Sequence, residues 1–143
     1  VHQSISSIFG LTDEQVNELM ADMWSEYLGE LNVEMARYLS NLRPRYRTAI
    51  ISNSFVGARE KERDKYQMED LAELIIYSHE VGMRKPDARI YLLTCSKLNV
   101  STAETIFVDD RLDNVQSASE LGMKAVLFSN SAQAIAEIDN LIS

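Results

Sequence analysis

In 143 residues the chain has one cysteine, one tryptophan, two histidines and two prolines. The lone Cys95 can form no internal disulfide, which fits a reducing compartment. No apolar run approaches the roughly 18 residues that span a bilayer. The start, VHQSISSIFG, lacks the basic opening and long apolar stretch of a secretory signal. A cytoplasmic protein is expected. Basic residues are in deficit: 14 Lys and Arg face 22 Asp and Glu, for a net charge of −8. That balance excludes general nucleic-acid and membrane-surface binding. No Gly-rich loop ends in Lys-Ser or Lys-Thr, so the chain is not a P-loop nucleotide binder. No Asp-x-Asp occurs anywhere.

Hydrophobic residues make up 45% and charged residues 25%, enough for one globular domain with a real core. Thr12 is suited to cap a helix, with Gln15 completing a capping box. Val16, Leu19, Met20, Met23, Trp24, Tyr27 and Leu28 then fall on one helical face, which reads as packing surface. Gly29 is a stop. Asn32 caps a second helix with Met35, Ala36, Leu39 and Leu42 as its stripe, and Pro44 ends it. The basic residues Arg43, Arg45 and Arg47 around Pro44 read as a solvated helix end.

The period changes after Leu42. TAIIS, Thr48 to Ser52, reads as a short buried parallel strand. An exposed charged helix over 58–68 and a strand over 74–77 follow. A loop over 79–87 leads to a helix over 88–98 that Asp87 caps. A strand over 105–108, a helix over 112–121 stopped by Gly122, a strand over 124–128 and a last helix capped by Ser131 complete the chain. In that last helix Ile135, Ile138, Leu141 and Ile142 are expected on the core. Alternation of this kind means crossover connections and a parallel sheet with helices on both faces.

Three strand ends carry polar residues that a core would not choose. Ser52 and Asn53 end the first strand, Lys85 sits in the loop after the second, and Asp109 and Asp110 end the third. In a parallel sheet these ends share one edge, where open α/β folds place their chemistry. A hydroxyl, an amide, a lysine and two carboxylates make a site for a phosphate and its metal. The hydroxyl and amide donate to phosphate oxygens, the lysine neutralises them, and the carboxylates suit a hard cation such as Mg²⁺. His79 reads as a loop histidine and Cys95 as a buried apolar thiol. His2 is given no role.

Ser52 after TAII, the Lys85-Pro86 pair after SHEVGMR, and FVDD followed by a helix and LGM resemble the last three motifs of the haloacid dehalogenase-like hydrolases. The resemblance covers roughly Leu31 to Leu127. Ser52 and Lys85 are 33 residues apart, and Lys85 and Asp110 are 25 apart. The resemblance implies a Rossmann-like core, an aspartate nucleophile and Mg²⁺. Ser52 matches the phosphate-oxygen donor and Lys85 the charge-stabilising lysine, with Asn53 beside them toward the substrate. Asp110 matches the main metal carboxylate, with Asp109 next to it. Asn114 matches a position often acidic in the family, and Asp113, one residue early, reads as a solvated first-turn acid.

One departure is large. The family carries its nucleophile on a first strand, in Asp-x-Asp-x-Thr or a related sequence, and this chain has none. Residues 1–30 resemble instead the trailing part of a helical cap, and residues 31–143 a core that lacks its nucleophile strand. The implied missing strand lies between those ending at Ser52 and Asp109. Its absence leaves two inner edges unpaired and room for self-association through the sheet centre. The expected function is a Mg²⁺-dependent phosphatase acting on a small phosphate ester, with this chain alone inactive. The alternatives are a non-catalytic binding protein on the same fold and a haloacid dehalogenase. A phospho-receiver domain is disfavoured, because there the acidic pair precedes the hydroxyl and the lysine. Trp24, Tyr27 and Met23 are candidates to line a substrate cleft, though core packing is the better reading.

Overall fold

The computed structural model describes residues 30–143. The helix expected from Thr12 to Leu28, its stop at Gly29, the cap segment, and Met23, Trp24 and Tyr27 all lie outside the described residues. Asn32–Ser143 form one compact unit.

Helix α1 (Val33–Asn41) begins where expected, with the Asn32 side chain accepting from the Met35 N–H. Strand β1 (Ala49–Ser52) follows, then α2 (Ala58–Tyr66), β2 (Leu74–Tyr77) and the single turn α3 (Ser78–Val81). After these come α4 (Ala88–Leu98), β3 (Ile106–Asp109), α5 (Leu112–Glu120), β4 (Lys124–Leu127) and α6 (Ser131–Ile142). Two expectations need correction. The stretch after β2 is not all loop, because Ser78–Val81 close one helical turn, which Gly82 ends at φ 70°. The cap of α6 is Asn130 rather than Ser131. Asn130 accepts from Gln133 N–H, and the Gln133 side chain reaches back to the Asn130 N–H, a complete capping box. Ser131 is then the first helical residue, and its hydroxyl accepts from Asn32.

The strands form two parallel pairs, β1 with β2 and β3 with β4. Among the described residues no strand joins β1 to β3. Each of the four strands is thus left with one unpaired edge among the described residues, and β1 and β3, the two expected to flank the missing strand, are among them. Burial differs between the strands: Ile75, Ile76 and Tyr77 of β2 are buried, every residue of β1 and β3 is half-buried, and β4 buries only Val126 while Lys124 and Leu127 are exposed. A strand in the middle of a parallel sheet is normally covered on both faces and paired on both edges.

Helix α4 holds the two pairs to one core. Its Ile90, Tyr91 and Cys95 pack with Ile76 of β2, Ala118 of α5 and Met123 before β4. Ile51 and Phe107, from the two half-buried strands, pack against this cluster. Tyr91 is fully buried, its ring meeting Phe107 edge-on at 5.0 Å, and its hydroxyl donates to the Asn114 carbonyl at 2.8 Å. Burial, with the charges of Asp109 and Asp113, pushes the Tyr91 hydroxyl up to about 12, so it remains a donor at all ordinary pH. Burying a side chain of this size contributes about 1.5–3 kcal/mol. Cys95 is a core thiol as expected, with Thr105 Oγ1 at 3.6 Å.

On the other flank, α2 covers β2 through charge rather than grease. The Arg59 guanidinium lies 4.7 Å from the centre of the Tyr77 ring and pairs with Glu80 and Glu69. Buried Glu62 accepts from the Tyr77 hydroxyl at 2.7 Å. The basic cluster is absorbed in a similar way. Arg43 donates to the Asp70 carbonyl, and Arg47 pairs with Glu73 at 2.8 Å.

Tyr91→Phe keeps the ring packed and deletes only the hydroxyl bond. The expected loss is about 1 kcal/mol in urea-induced unfolding. An unchanged midpoint would mean that this bond contributes nothing.

Candidate active site

The C-terminal ends of β1 and β3 are brought together by a segment from neither strand. Lys85 lies in the loop between α3 and α4, and its Nζ reaches Asp109 Oδ2 at 2.6 Å. Both side chains are nearly buried, at 12% and 7% exposure. Asp109 is the last residue of β3, and its carbonyl accepts from Phe128 N–H, so pairing with β4 continues past the strand end and fixes its backbone. Its Oδ1 accepts from the Arg111 N–H at 2.9 Å, and its Oδ2 also accepts from Asn114 Nδ2 at 3.2 Å.

Burial by itself pushes the Asp109 carboxyl up. Hydrogen bonds from Lys85 and the Arg111 N–H, together with the charge of Lys85, outweigh it and hold the carboxyl below its ordinary value. The Asp109 carboxyl is thus ionised at neutral pH. A buried charge pair of this kind is worth having only where its remaining polar groups are satisfied, as those of Asp109 are.

The expected site residues fall into three groups. Lys85 and Asn114 both meet Asp109 at its Oδ2. Ser52, the last residue of β1, is half-buried in register with Tyr77, and the side chain of Asn53 bonds to the backbone of Lys85. Asp110 is exposed at the mouth of the site, beside Asp109. Asp113 pairs with Arg111 at 3.2 Å, which holds its carboxyl below the ordinary range. His79 lies under the loop with its Nδ1 2.8 Å from Ser54 Oγ, and not on Lys85. Ser54 and Ser78 lock the ends of β1 and β2 together, Ser54 N–H donating to Ser78 Oγ and Ser78 Oγ to the Ser54 carbonyl. Neither serine stands out in the sequence. Ser54 falls just past the strand TAIIS and Ser78 just past β2, with no pattern to link them. An open cavity of about 320 Å³ borders Ser54, His79 and Arg84, but neither Lys85 nor Asp109 lines it.

The oxygen donors suit a hard cation. Asn114 is 2% exposed and its Oδ1 is buried with no hydrogen-bond partner, directly beside the Asp109 carboxylate. An unpaired buried acceptor is costly and calls for an explanation, and a bound cation is one. Among the described residues no three His, Cys, Asp or Glu side chains form a metal set. Asp109, Asp110 and Asn114 therefore supply only part of the octahedral shell that Mg²⁺ demands.

Comparison with known proteins agrees with this geometry. The chain is 38% identical over 80 residues to a sesquiterpene phosphatase of Aspergillus oryzae, covering 56% of this chain and 41% of that protein. It is 38% identical over 71 residues to drimenol cyclase of Aspergillus calidoustus, covering 50% of this chain and 13% of that protein. The chain thus spans less than half the length of these relatives. A predicted hydrolase of Porphyromonas gingivalis with a haloacid dehalogenase-like fold superposes with TM-score 0.76 at 24% identity, over 99% of this chain and 71% of that one. A related enzyme of Bacteroides thetaiotaomicron, solved with magnesium and inorganic phosphate, gives TM-score 0.75 at 24% identity, over 89% of this chain and 66% of that one. The family model for haloacid dehalogenase-like hydrolases matches residues 6–122, and the chain belongs to that family.

Proposed function

We propose that this protein is a phosphatase of small phosphorylated metabolites, dependent on Mg²⁺, whose nucleophilic carboxylate comes from a strand outside these 143 residues. One observation carries the reading: a nearly buried Lys85–Asp109 pair sits where the ends of two separate parallel strand pairs meet. The A. oryzae relative is a phosphatase, which favours a phosphate ester over a haloacid as the substrate.

In this reading the Ser52 hydroxyl donates to a phosphate oxygen. The Lys85 ammonium, aimed by its contact with Asp109, neutralises the developing negative charge. Asp110, Asp109 and Asn114 hold the cation, which when bound screens the phosphate from an acidic protein. A carboxylate on the strand between β1 and β3 attacks phosphorus as the ester P–O bond breaks, and the alcohol leaves with a proton. Water then cleaves the acyl phosphate and frees the carboxylate. The absence of Asp-x-Asp and the unpaired edges of β1 and β3 both support a strand supplied from elsewhere.

A version of the protein carrying that strand is expected to hydrolyse an aryl phosphate with Mg²⁺ and to stop when EDTA is added. Lys85→Ala and Asp110→Asn each lower kcat roughly 10²-fold or more, the scale of lost electrostatic stabilisation. Near-normal rates in both variants would refute the assigned roles.

The 143 residues alone are expected to show no turnover and to self-associate in gel filtration. Robust turnover, or a stable monomer with a cooperative melt, would overturn the missing-strand reading, and such a monomer without turnover would favour a binding protein.

A third expectation concerns acid. The folded Asp109 carboxyl lies below its unfolded value of about 3.9. Its link to Lys85 therefore stabilises the fold fully above that pH and is lost as pH falls through the folded value. Chemical-denaturation midpoints in metal-free buffer between about pH 6 and pH 3 should fall less steeply for Lys85→Met than for wild type. Parallel curves would remove the pair from the acid response.

A further inference from the structure

Asn53 spends both halves of its side-chain amide on the backbone of a single residue. Its Oδ1 accepts from the Lys85 N–H at 2.8 Å, and its Nδ2 donates to the Lys85 carbonyl at 3.0 Å. Donor and acceptor on one short planar group are what an asparagine offers and a serine, alanine or aspartate does not. Two such bonds fix both the distance and the rotation of the backbone they grip. Asn53 is itself held, since it directly follows β1, whose register with β2 runs to Ser52–Tyr77. On the far side of the same segment, Ser117 Oγ of α5 donates to the Pro86 carbonyl at 2.7 Å. The Lys85–Pro86 segment is thus gripped from β1 and from the helix that follows β3.

A lysine side chain has four rotatable carbon–carbon bonds, so the placement of Nζ depends on how firmly its backbone is held. Here Nζ must land on Asp109, which belongs to the other strand pair. We propose that Asn53 is a positioning residue for Lys85. Its amide anchors the Lys85 backbone to β1, so that the ammonium crosses to the β3 side at a fixed point. Its side chain is then spent and does not ligate the substrate phosphate.

The proposal rests on the phosphatase reading for its kinetic arm only. In the strand-complete protein, Asn53→Ala is expected to lower kcat about 10- to 100-fold, the scale of a displacement near 1 Å at a catalytic group. KM should change less than threefold. The double variant Asn53→Ala/Lys85→Ala should be no slower than Lys85→Ala alone, because Asn53 acts through Lys85. Multiplying effects, or a raised KM with kcat unchanged, would make Asn53 a substrate ligand and overturn the proposal.

The second arm needs no activity. Hydrogen exchange at the Lys85 N–H should quicken about tenfold in Asn53→Ala, the equivalent of one lost hydrogen bond. Exchange in the core of α4 should stay as in wild type. Unchanged exchange at Lys85 overturns the proposal even if the enzyme proves not to be a phosphatase. If Asn53→Ala does not fold, Asn53→Asp carries the kinetic arm, since it keeps the acceptor for the Lys85 N–H and removes the donor to the Lys85 carbonyl. Wild-type kcat in Asn53→Asp would likewise sink the idea.

Discussion

The contact between Lys85 and Asp109 is the constraint on which the rest depends. It brings charge from the loop after one strand pair onto the end of the other, across a line that no backbone ladder crosses. Taking a carboxylate and an ammonium out of water costs roughly several kcal/mol per ion, so such a pair persists only with good geometry and satisfied neighbours. The surroundings meet that demand. Asp109 accepts from the Arg111 N–H and Asn114, and its own carbonyl is tied by Phe128. The apolar work of joining the halves falls to α4, whose Ile90, Tyr91 and Cys95 reach the core from beneath both. Grease holds the halves together while charge holds their rims in register.

Among the described residues β1 and β3 each have one side bonded and one side bare, and none of their residues is fully covered. Open edges of this kind attract strands, correct or otherwise. The same place is therefore where a productive strand completes the fold and where an unproductive one would begin aggregation. Site and hazard coincide because the polar ends of β1 and β3 face the same opening.

Most of the framework was legible in the sequence. The short β-branched run TAII and the apolar FVDD each end in polar residues, and that abrupt change marked both strand ends. Asp87 and Gly122 are a cap and a left-handed stop, local chemistry that sequence exposes directly. What stayed hidden depends on distant partners. The turn Ser78–Val81 is too short to show a helical period. Asn130 competed with Ser131 for the cap, and only the reciprocal bond with Gln133 decided it. The grip of Asn53 on Lys85 spans 32 residues. Its residue type fits a phosphate donor equally well, so sequence alone could not separate the two uses. His79 lay near Lys85 in the chain, yet it turns toward Ser54, because one helical turn swings it away.

The contacts between α1 and α6 have a consequence in time. Asn32 donates to Ser131, 99 residues away, and Tyr38 donates to Asp139 at 2.5 Å, 101 residues away. Helix α1 buries no residue completely, and its polar partners sit on the last helix. At about 5–20 residues per second, a ribosome takes roughly 5–20 seconds to make the intervening chain. Throughout that interval α1 presents its apolar stripe with no α6 to meet it. Until α6 is made, the early part of this unit thus lacks the helix that its polar contacts are built to meet.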